Sequence, residues 1–361
     1  MGASRVSEPL VVQSHAGAYT VMFDDQALAR LDGSVPSDAH FIVDANVARL
    51  YDRDLARVLA SGSVLVIETS EAAKSLDRFP GYVEHFVAHA VRRGHRLIAI
   101  GGGVIQDITC FLAATLLRGL SWEFYPTTLL AQADSCIGSK SSINVGAAKN
   151  ILGTFTPPAS VTISSRVLKT LPPEDLRSGI GEMLKVHAID GPAEFDAIAN
   201  DYGRLLSDDA VLQHYIRRSL EIKKAIIEID EFDRGPRNVM NYGHTFGHAI
   251  EAATNYGVPH GIGVTMGMDM ANLVAARLSI TPQSHFARMH GVLRANYAGF
   301  ERTPIPFAAF LSAIAKDKKN TDREISMILP GPDGRLAVTR RPPDARFTEA
   351  CAEYFSTVLP G

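Results

Sequence analysis

The sequence predicts an α/β half built on a mostly parallel sheet, followed by a mainly α-helical half. Three observations carry this. Short β-branched runs alternate with helical stretches as far as Ile163. The run Arg96-Leu97-Ile98-Ala99-Ile100 is almost wholly apolar, as a strand buried on both faces must be. Past Leu171-Pro172-Pro173 the apolar residues recur at helical spacing.

The first strand reads at HFIVD (40–44), with a helix over 46–60 after it. SVLVIE (63–68) is the next strand, followed by a helix over 80–94 that carries His85 and His89. The apolar strand 96–100 runs directly into Gly101-Gly102-Gly103. This rhythm implies a parallel sheet with helices on both sides. A further strand is expected at ASVTI (159–163), after Pro157-Pro158. Long helices are then expected over 204–231, 241–256 and 261–278, and a short strand at ISMILP (325–330). The change of texture places a domain boundary near 172, giving domains 1–171 and 172–361. A cleft between two such halves is the expected place for a ligand.

At 361 residues and 46% hydrophobic, the chain can fill two cores. The formal charge of -3, with no basic block, argues against a nucleic-acid partner; the pairs Arg92-Arg93 and Arg217-Arg218 fall in helix-like segments. Cys110, Cys136 and Cys351 are too few and scattered for a disulfide scaffold, so a reducing, cytoplasmic setting is expected. The opening MGASRVSEPL has no apolar run suited to a signal peptide. Elsewhere apolar stretches break well short of about 20 residues, so no membrane span is expected.

Three motifs carry chemistry. GGGVIQD (101–107) joins a buried strand to a helix, where glycines permit a tight turn and a helix N-terminus favours phosphate. It is neither the dinucleotide fingerprint nor a phosphate-binding loop ending in Gly-Lys-Ser/Thr, and Asp107 can equally be read as a helix cap. In NYGHTFGHAIE (241–251), His244 and His248 are four apart on one helical face, and His260 follows in a turn. Thr245 stands where a zincin carries its glutamate, so a peptidase reading is weak. Glu182, amid small and apolar residues, is a candidate oxygen ligand to complete a site of imidazoles and one carboxylate. Lys140 and Lys149 flank the loop SKSSINVGAAKN, which has the character of an anion nest.

Together these pieces resemble the sugar phosphate cyclase superfamily, and within it the 3-dehydroquinate synthase family. The resemblance runs from about residue 40 to 335 through, in order, Asp44-Ala45-Asn46, EAAK (71–74), GGGVIQD, LLRG with Arg118, PTTLLAQADSCIGSK (126–140), INVGAAKN (143–150), LKTLPP (168–173), EMLK (182–185), the Lys223 helix, NYGHTFGHA, PHG (259–261) and DKK (317–319). It implies a Rossmann-like N-terminal domain that binds NAD and a helical domain that carries the metal, in a homodimer.

Asp44 and Asn46 would meet the adenosine side of NAD, and Glu71, Lys74, Gly101, Gly102, Gly103 and Asp107 its ribose and pyrophosphate. Thr127, Thr128, Asp134, Lys149 and Thr170 would complete the cofactor site. Glu182, His244 and His260 match the metal ligands, for Zn2+ with Co2+ as an alternative, which moves His248 to substrate and proton transfer. Lys140, Asn150, Lys185, Lys223, Arg237, Asn241, His248, Lys318 and Lys319 would face the substrate, a phosphorylated sugar acid. Arg118 would reach it from the neighbouring subunit.

The implied reaction closes 3-deoxy-arabino-heptulosonate 7-phosphate into a carbocycle as in the shikimate pathway. It proceeds by transient oxidation, phosphate elimination, reduction and aldol closure. Gln106, the Gly138-Ser139-Lys140-Ser141 loop, VGAAKN and Val186-His187 depart from the usual wording of the family. A sister cyclase of secondary metabolism, acting on another phosphorylated sugar, is therefore the alternative. A glycerol-dehydrogenase-like oxidoreductase is a more distant rival.

Overall fold

The computed structural model describes residues 8–146, 148–316, 320 and 324–360. The chain forms two compact units. One holds the residues up to Leu171 together with Lys223–Phe232, and the other holds Pro172–Ile222 and the residues from Asp233 onward. The second half of the sequence is thus not one continuous unit, because the end of the Asp209–Ile229 helix belongs with the first.

The first unit is built on a seven-stranded sheet. Its strands are β1 (Leu10–Ser14), β2 (Gly17–Phe23), β3 (Ala39–Asp44), β4 (Val64–Ile67), β5 (Arg96–Gly101), β6 (Ser121–Pro126) and β9 (Ser160–Ile163). Between β6 and β9 the strands β7 (Ile143–Val145) and β8 (Ala148–Leu152) form a separate antiparallel hairpin. The order across the sheet is β1-β2-β9-β6-β5-β3-β4. Every neighbouring pair is parallel except β1 with β2. Phe41, Ile42 and Val43 on β3, and Leu97, Ile98, Ala99 and Ile100 on β5, are fully buried, which is why these strands read as apolar runs. The expectations missed β1, β2 and β6; β6 alternates exposed and buried residues and lacks an apolar run.

Two expected helices are shorter, for identifiable reasons. The 46–60 stretch is two pieces, Ala45–Leu50 and Ala56–Leu59. Asp44 caps the first by accepting from Asn46 N and Val47 N, while Asp32 accepts from Arg57 N and Val58 N at the start of the second. The 80–94 helix is Phe79–Ala88. It ends in a left-handed turn at Ala90 (φ 53), with Val91 N donating to Phe86 O and Ala90 N to Val87 O, so Arg92-Arg93 lies outside it.

The second unit is mostly helical. The helices that matter most are Pro173–Asp190, His244–Ala253 and His260–Arg277. The expected 241–256 helix begins only at His244, because a tight turn over Pro236–Asn241 and left-handed Gly243 (φ 78) precede it. The stretch 204–231 is the short helix Tyr202–Leu205 and then Asp209–Ile229. The strand β10 (Ile325–Pro330) is present as expected and pairs with β11 (Leu336–Arg341) in an antiparallel hairpin. Among the described residues no helix is long and apolar enough to cross a membrane.

Candidate active site

In the first unit, the candidate cofactor residues gather at the carboxyl ends of parallel strands. Asp44 ends β3, Gly101 ends β5, and Thr127 follows β6, its N–H donating to Gly101 O at 2.9 Å. Ligands bind at this edge of open α/β sheets. The helix Gly103–Thr115 starts there. A side chain at Gly102 would meet Thr128 Cγ2 at 2.8 Å, so only glycine lets the turn pass so close.

Beside this turn a polar network forms. Lys74 Nζ donates to Asp107 Oδ2 at 2.7 Å and to Asn150 Oδ1 at 3.1 Å. Ser142 N donates to Asp107 Oδ1 at 3.0 Å, and Asn144 Nδ2 to Glu71 Oε1 at 2.8 Å. Burial pushes the Asp107 carboxyl up, and the Lys74 ammonium opposes that shift. Asp107 is thus a half-buried ion-pair member, not a simple helix cap. Asn150 stands in this network, in left-handed backbone (φ 51).

Asp44 spends Oδ1 on its helix cap and accepts from Thr69 Oγ1 through Oδ2; the Asn46 side chain accepts from Arg49. Thr170 meets Tyr51 OH at 3.0 Å. The SKSSINVGAAKN segment is the β7–β8 hairpin rather than an open nest, with Lys140 and Lys149 both exposed. Arg118 is exposed and left-handed (φ 70) between Leu117 (φ 52) and Gly119 (φ 131).

Lys223 and Asp134 are both buried. Lys223 Nζ is 2.7 Å from Asp134 Oδ1 and donates to Asp134 O at 2.6 Å. Asp134 lies in a wide helical turn, Ala131–Ser135. Gln106 clasps that turn from the neighbouring helix: its Nε2 donates to Ser135 O, and Ser135 Oγ donates to its Oε1, both at 2.6 Å.

In the second unit, Glu182, Lys185, His244, His248 and His260 come together. One ring nitrogen from each of the three histidines lies within 4.8 Å of the others. His244 Nε2 is 3.8 Å and His260 Nε2 3.4 Å from Glu182 Oε1, while Lys185 Nζ pairs with Glu182 Oε2. The Nδ1 atoms of both rings are engaged behind: His244 with Tyr242 O at 3.1 Å and His260 with Glu251 Oε1 at 2.9 Å. With Nδ1 engaged behind, Nε2 is the nitrogen that each ring turns toward Glu182, and it offers a lone pair once it has no proton. That arrangement fits a divalent metal held by two imidazoles and a carboxylate. His248, an exposed imidazole, completes the trio of rings.

Burial, with Lys185 and the adjacent rings, holds His244 well below the usual histidine range. Burial acts the same way on His260, but Glu182 and Glu251 more than offset it and raise that ring to about 10.

Four glycines assemble this cluster, each next in sequence to a candidate ligand: Gly181 to Glu182, Gly243 to His244, Gly247 to His248 and Gly261 to His260. A side chain at Gly247 would lie 2.8 Å from Gly263 O, and at Gly243 2.6 Å from Val264 O. One at Gly181 would strike Gly261 O, and one at Gly261 would strike Ser178. Pro173–Asp190 and His244–Ala253 therefore each meet His260–Arg277 backbone to backbone.

Arg237 is buried on the Pro236–Asn241 turn, and Asn241 ends that turn with Nδ2 donating to Asn238 O at 3.0 Å. Lys318 and Lys319 lie outside the described residues. Glu251 was not foreseen, although it sits three residues past His248 and seven past His244, on their helical face. Gln106 was noted only as a departure, and nothing in the sequence pointed to its partner Ser135.

Fold and side chains together define an enzyme of the NAD-using, metal-binding cyclase type. The chain belongs to the 3-dehydroquinate synthase family of the sugar phosphate cyclase superfamily. Residues 64–178 match the family model for the 3-dehydroquinate synthase N-terminal region and 179–320 that for the C-terminal region. The 3-dehydroquinate synthase of Cereibacter sphaeroides is 36% identical over 336 residues, 88% of this chain and 90% of that protein. Among solved structures, 2-epi-5-epi-valiolone synthase from Streptomyces hygroscopicus subsp. jinggangensis 5008, with NAD+ and Zn2+ bound, has a TM-score of 0.81 at 25% identity. The match covers 94% of this chain and 96% of that one. A 2-deoxy-scyllo-inosose synthase complexed with carbaglucose-6-phosphate, NAD+ and Co2+ also has a TM-score of 0.81, at 21% identity, covering 96% of this chain and 99% of that one, and attests the fold.

Proposed function

We propose that this protein closes a phosphorylated sugar into a six-membered carbocycle, with NAD as a recycled cofactor and a divalent metal, Zn2+ or Co2+, held by Glu182, His244 and His260. The observation that carries the reading is the convergence of two Nε2 atoms on Glu182 beside Lys185. When bound, NAD takes up and returns a hydride, and the metal polarises substrate oxygens as a Lewis acid.

The chain's own groups do the rest. The strand ends at Asp44, Gly101 and Thr127 receive the dinucleotide, with the Gly102 turn open to its pyrophosphate and Glu71, Lys74, Asp107, Thr128, Lys149 and Thr170 around it. Lys185 and Lys223, each anchored by a buried carboxylate, present ammonium groups to developing oxyanions. His248, exposed beside the two inner rings, relays protons. Lys140 and Asn150 join the substrate side.

Two readings differ in the substrate. The solved 2-epi-5-epi-valiolone synthase, at 25% identity and a TM-score of 0.81, is named for a ring other than dehydroquinate, and this supports a sister cyclase acting on another sugar phosphate. The departures at Gln106, Ser139 and His187 support it. The 3-dehydroquinate-forming, shikimate-pathway reading has the curated relatives behind it, together with Arg237, whose guanidinium can hold a substrate carboxylate through two parallel hydrogen bonds.

The test supplies 3-deoxy-arabino-heptulosonate 7-phosphate, sedoheptulose 7-phosphate and glucose 6-phosphate separately, with catalytic NAD+ and Zn2+. Phosphate release without NADH accumulation is the expected result, and the ring product identifies the branch. Net NADH formation without phosphate release would replace this reading with an oxidoreductase.

A homodimer is part of the proposal, with Arg118 completing the neighbour's site. Mixing an Arg118→Ala chain with a Lys185→Ala chain should then restore activity. Demonstrated heterodimers without recovery would refute the shared site.

A further inference from the structure

Gln106 is buried, although it is one of the positions where the chain departs from the family's wording. It stands in the first turn of the Gly103–Thr115 helix, where its own N–H donates to Gly102 O at 3.0 Å. Its amide meets Ser135 twice, Nε2 on the carbonyl and Oε1 on the hydroxyl, both at 2.6 Å. A carbonyl can only accept, so the amide has one usable orientation.

The segment it grips is wound wide. Cys136 N donates to Ala131 O at 2.9 Å, five residues back instead of four. Gln132 Nε2 moors the front of this turn, donating to Pro126 O at 3.0 Å and Ser164 O at 2.8 Å beside the ends of β6 and β9. Beyond it, Gly138 N donates to the Tyr19 hydroxyl at 2.8 Å. The peptide carbonyls flanking the Ser135 Cα both turn to side-chain donors: Asp134 O takes Lys223 Nζ, and Ser135 O takes Gln106 Nε2. Lys223 Nζ is also 2.7 Å from Asp134 Oδ1, so the ammonium follows the backbone of residue 134. All of these groups belong to the first unit.

We propose that Gln106 is a positioning residue for Lys223, acting through Ser135 and the backbone of Asp134. Holding Ser135 O fixes the peptide next to the one that carries the ammonium. A group that stabilises a developing oxyanion is effective only when aimed in advance. Without the amide, Ser135 O loses this donor and the wide turn is free to relax, carrying Nζ with it. Two consecutive residues thus anchor two lysines, Asp107 holding Lys74 directly and Gln106 aiming Lys223 at one remove. The inference rests on the reading that Lys223 serves a developing oxyanion, but the positioning itself can be measured without turnover.

The experiment compares wild type with Gln106→Leu, Ser135→Ala and Ser135→Thr. Its first readout is the coupling of Asp134 with Lys223, from a double-mutant cycle in urea denaturation built on each background. The coupling should fall by at least half in Gln106→Leu and by less in Ser135→Ala. Ser135→Thr keeps a hydroxyl and should stay near wild type. The second readout is steady-state turnover of whichever sugar phosphate is used. In Gln106→Leu kcat should drop at least tenfold with KM and bound metal within threefold, the split expected of a contact made in the transition state. A clasp that only stabilised the fold would lower the denaturation midpoint and move neither readout. Undiminished coupling, or kcat within twofold of wild type, would overturn the inference and leave the proposed function intact. Halved coupling in a protein that turns over no sugar phosphate would uphold the positioning of Lys223 while the functional reading fails.

Discussion

Glu251 accepts a hydrogen bond from His260 Nδ1 at 2.9 Å, and this contact decides which nitrogen of His260 faces Glu182. Carboxylates behind metal-binding imidazoles orient the ring and raise its basicity, and their loss costs about 10- to 100-fold in metal affinity. Glu251→Ala should lose Zn2+ affinity by about that factor in a chelator competition, with Glu251→Gln less affected. Unchanged affinity in Glu251→Ala would remove Glu251 from the site.

Metal uptake should release protons. His260 is raised to about 10 by Glu182 and Glu251, against the opposing effect of burial, so its ring carries a proton at neutral pH. A metal needs that lone pair, so affinity should fall as pH is lowered and rise toward alkaline pH. Calorimetry at pH 7 in buffers of different ionisation enthalpy should report release of about one proton from this ring. No buffer dependence would mean that His260 does not give up a proton on binding.

Gly247→Ala should be costly where Gly291→Ala is not. A Cβ at Gly247 would stand 2.8 Å from Gly263 O, whereas one at Gly291, in the Gln283–Asn296 helix, meets nothing within 4 Å. Forcing two helices apart costs about 1–3 kcal/mol. It should also slow turnover, since the proton-relaying His248 is next in the chain. Gly291→Ala should stabilise by about 0.5–1 kcal/mol. Equal denaturation midpoints for the two variants would contradict the close helix contact.

Removing either partner of the Asp134–Lys223 pair strands a buried charge. Asp134→Ala and Lys223→Ala should each destabilise by about 3 kcal/mol, and the double variant by clearly less than the sum. Urea denaturation of the four proteins measures this, and simple additivity would mean that the two groups are not coupled.

His187 should make the protein acid-sensitive. Burial depresses its ring to about 4, below the unfolded value of about 6.5. The unfolded chain therefore binds the proton first. This contribution to stability is complete above about pH 6.5 and is lost as pH falls toward 4, amounting to about 3 kcal/mol. His285, also lowered to about 4 by burial, adds a share of its own. His187→Leu should flatten the pH dependence of stability in that window. An unchanged profile would show that His187 does not titrate there.

The apolar run 96–100, the glycines after it and the spacing of His244 and His248 were legible because each signal is local. β3, β5, β10 and the long helices appeared close to where they were expected. β6 and the β1–β2 hairpin were not legible: β6 lacks an apolar run, and β1 and β2 carry only the short ones Leu10-Val11-Val12 and Val21-Met22-Phe23, so all three are recognised by their partners. The 46–60 helix was over-extended because Asp32, which caps its second piece, lies more than twenty residues upstream. Gln106, a departure on paper, has a function in the structure as the clasp on Ser135.

The sequence by itself determined that each candidate ligand has a glycine beside it: Gly181-Glu182, Gly243-His244, Gly247-His248, His260-Gly261. It did not say what the glycines were for. Only the tertiary structure showed the helix backbones touching at those points, with Glu182 drawn between His244 and His260. It alone placed Glu251 behind His260 and Asp134 on Lys223. The physical reason is reach. Periodicity reports which face of one helix a side chain occupies. Ring tautomers, buried charge pairs and metal geometry depend on atoms brought within about 3 Å from distant parts of the chain, and only packing does that.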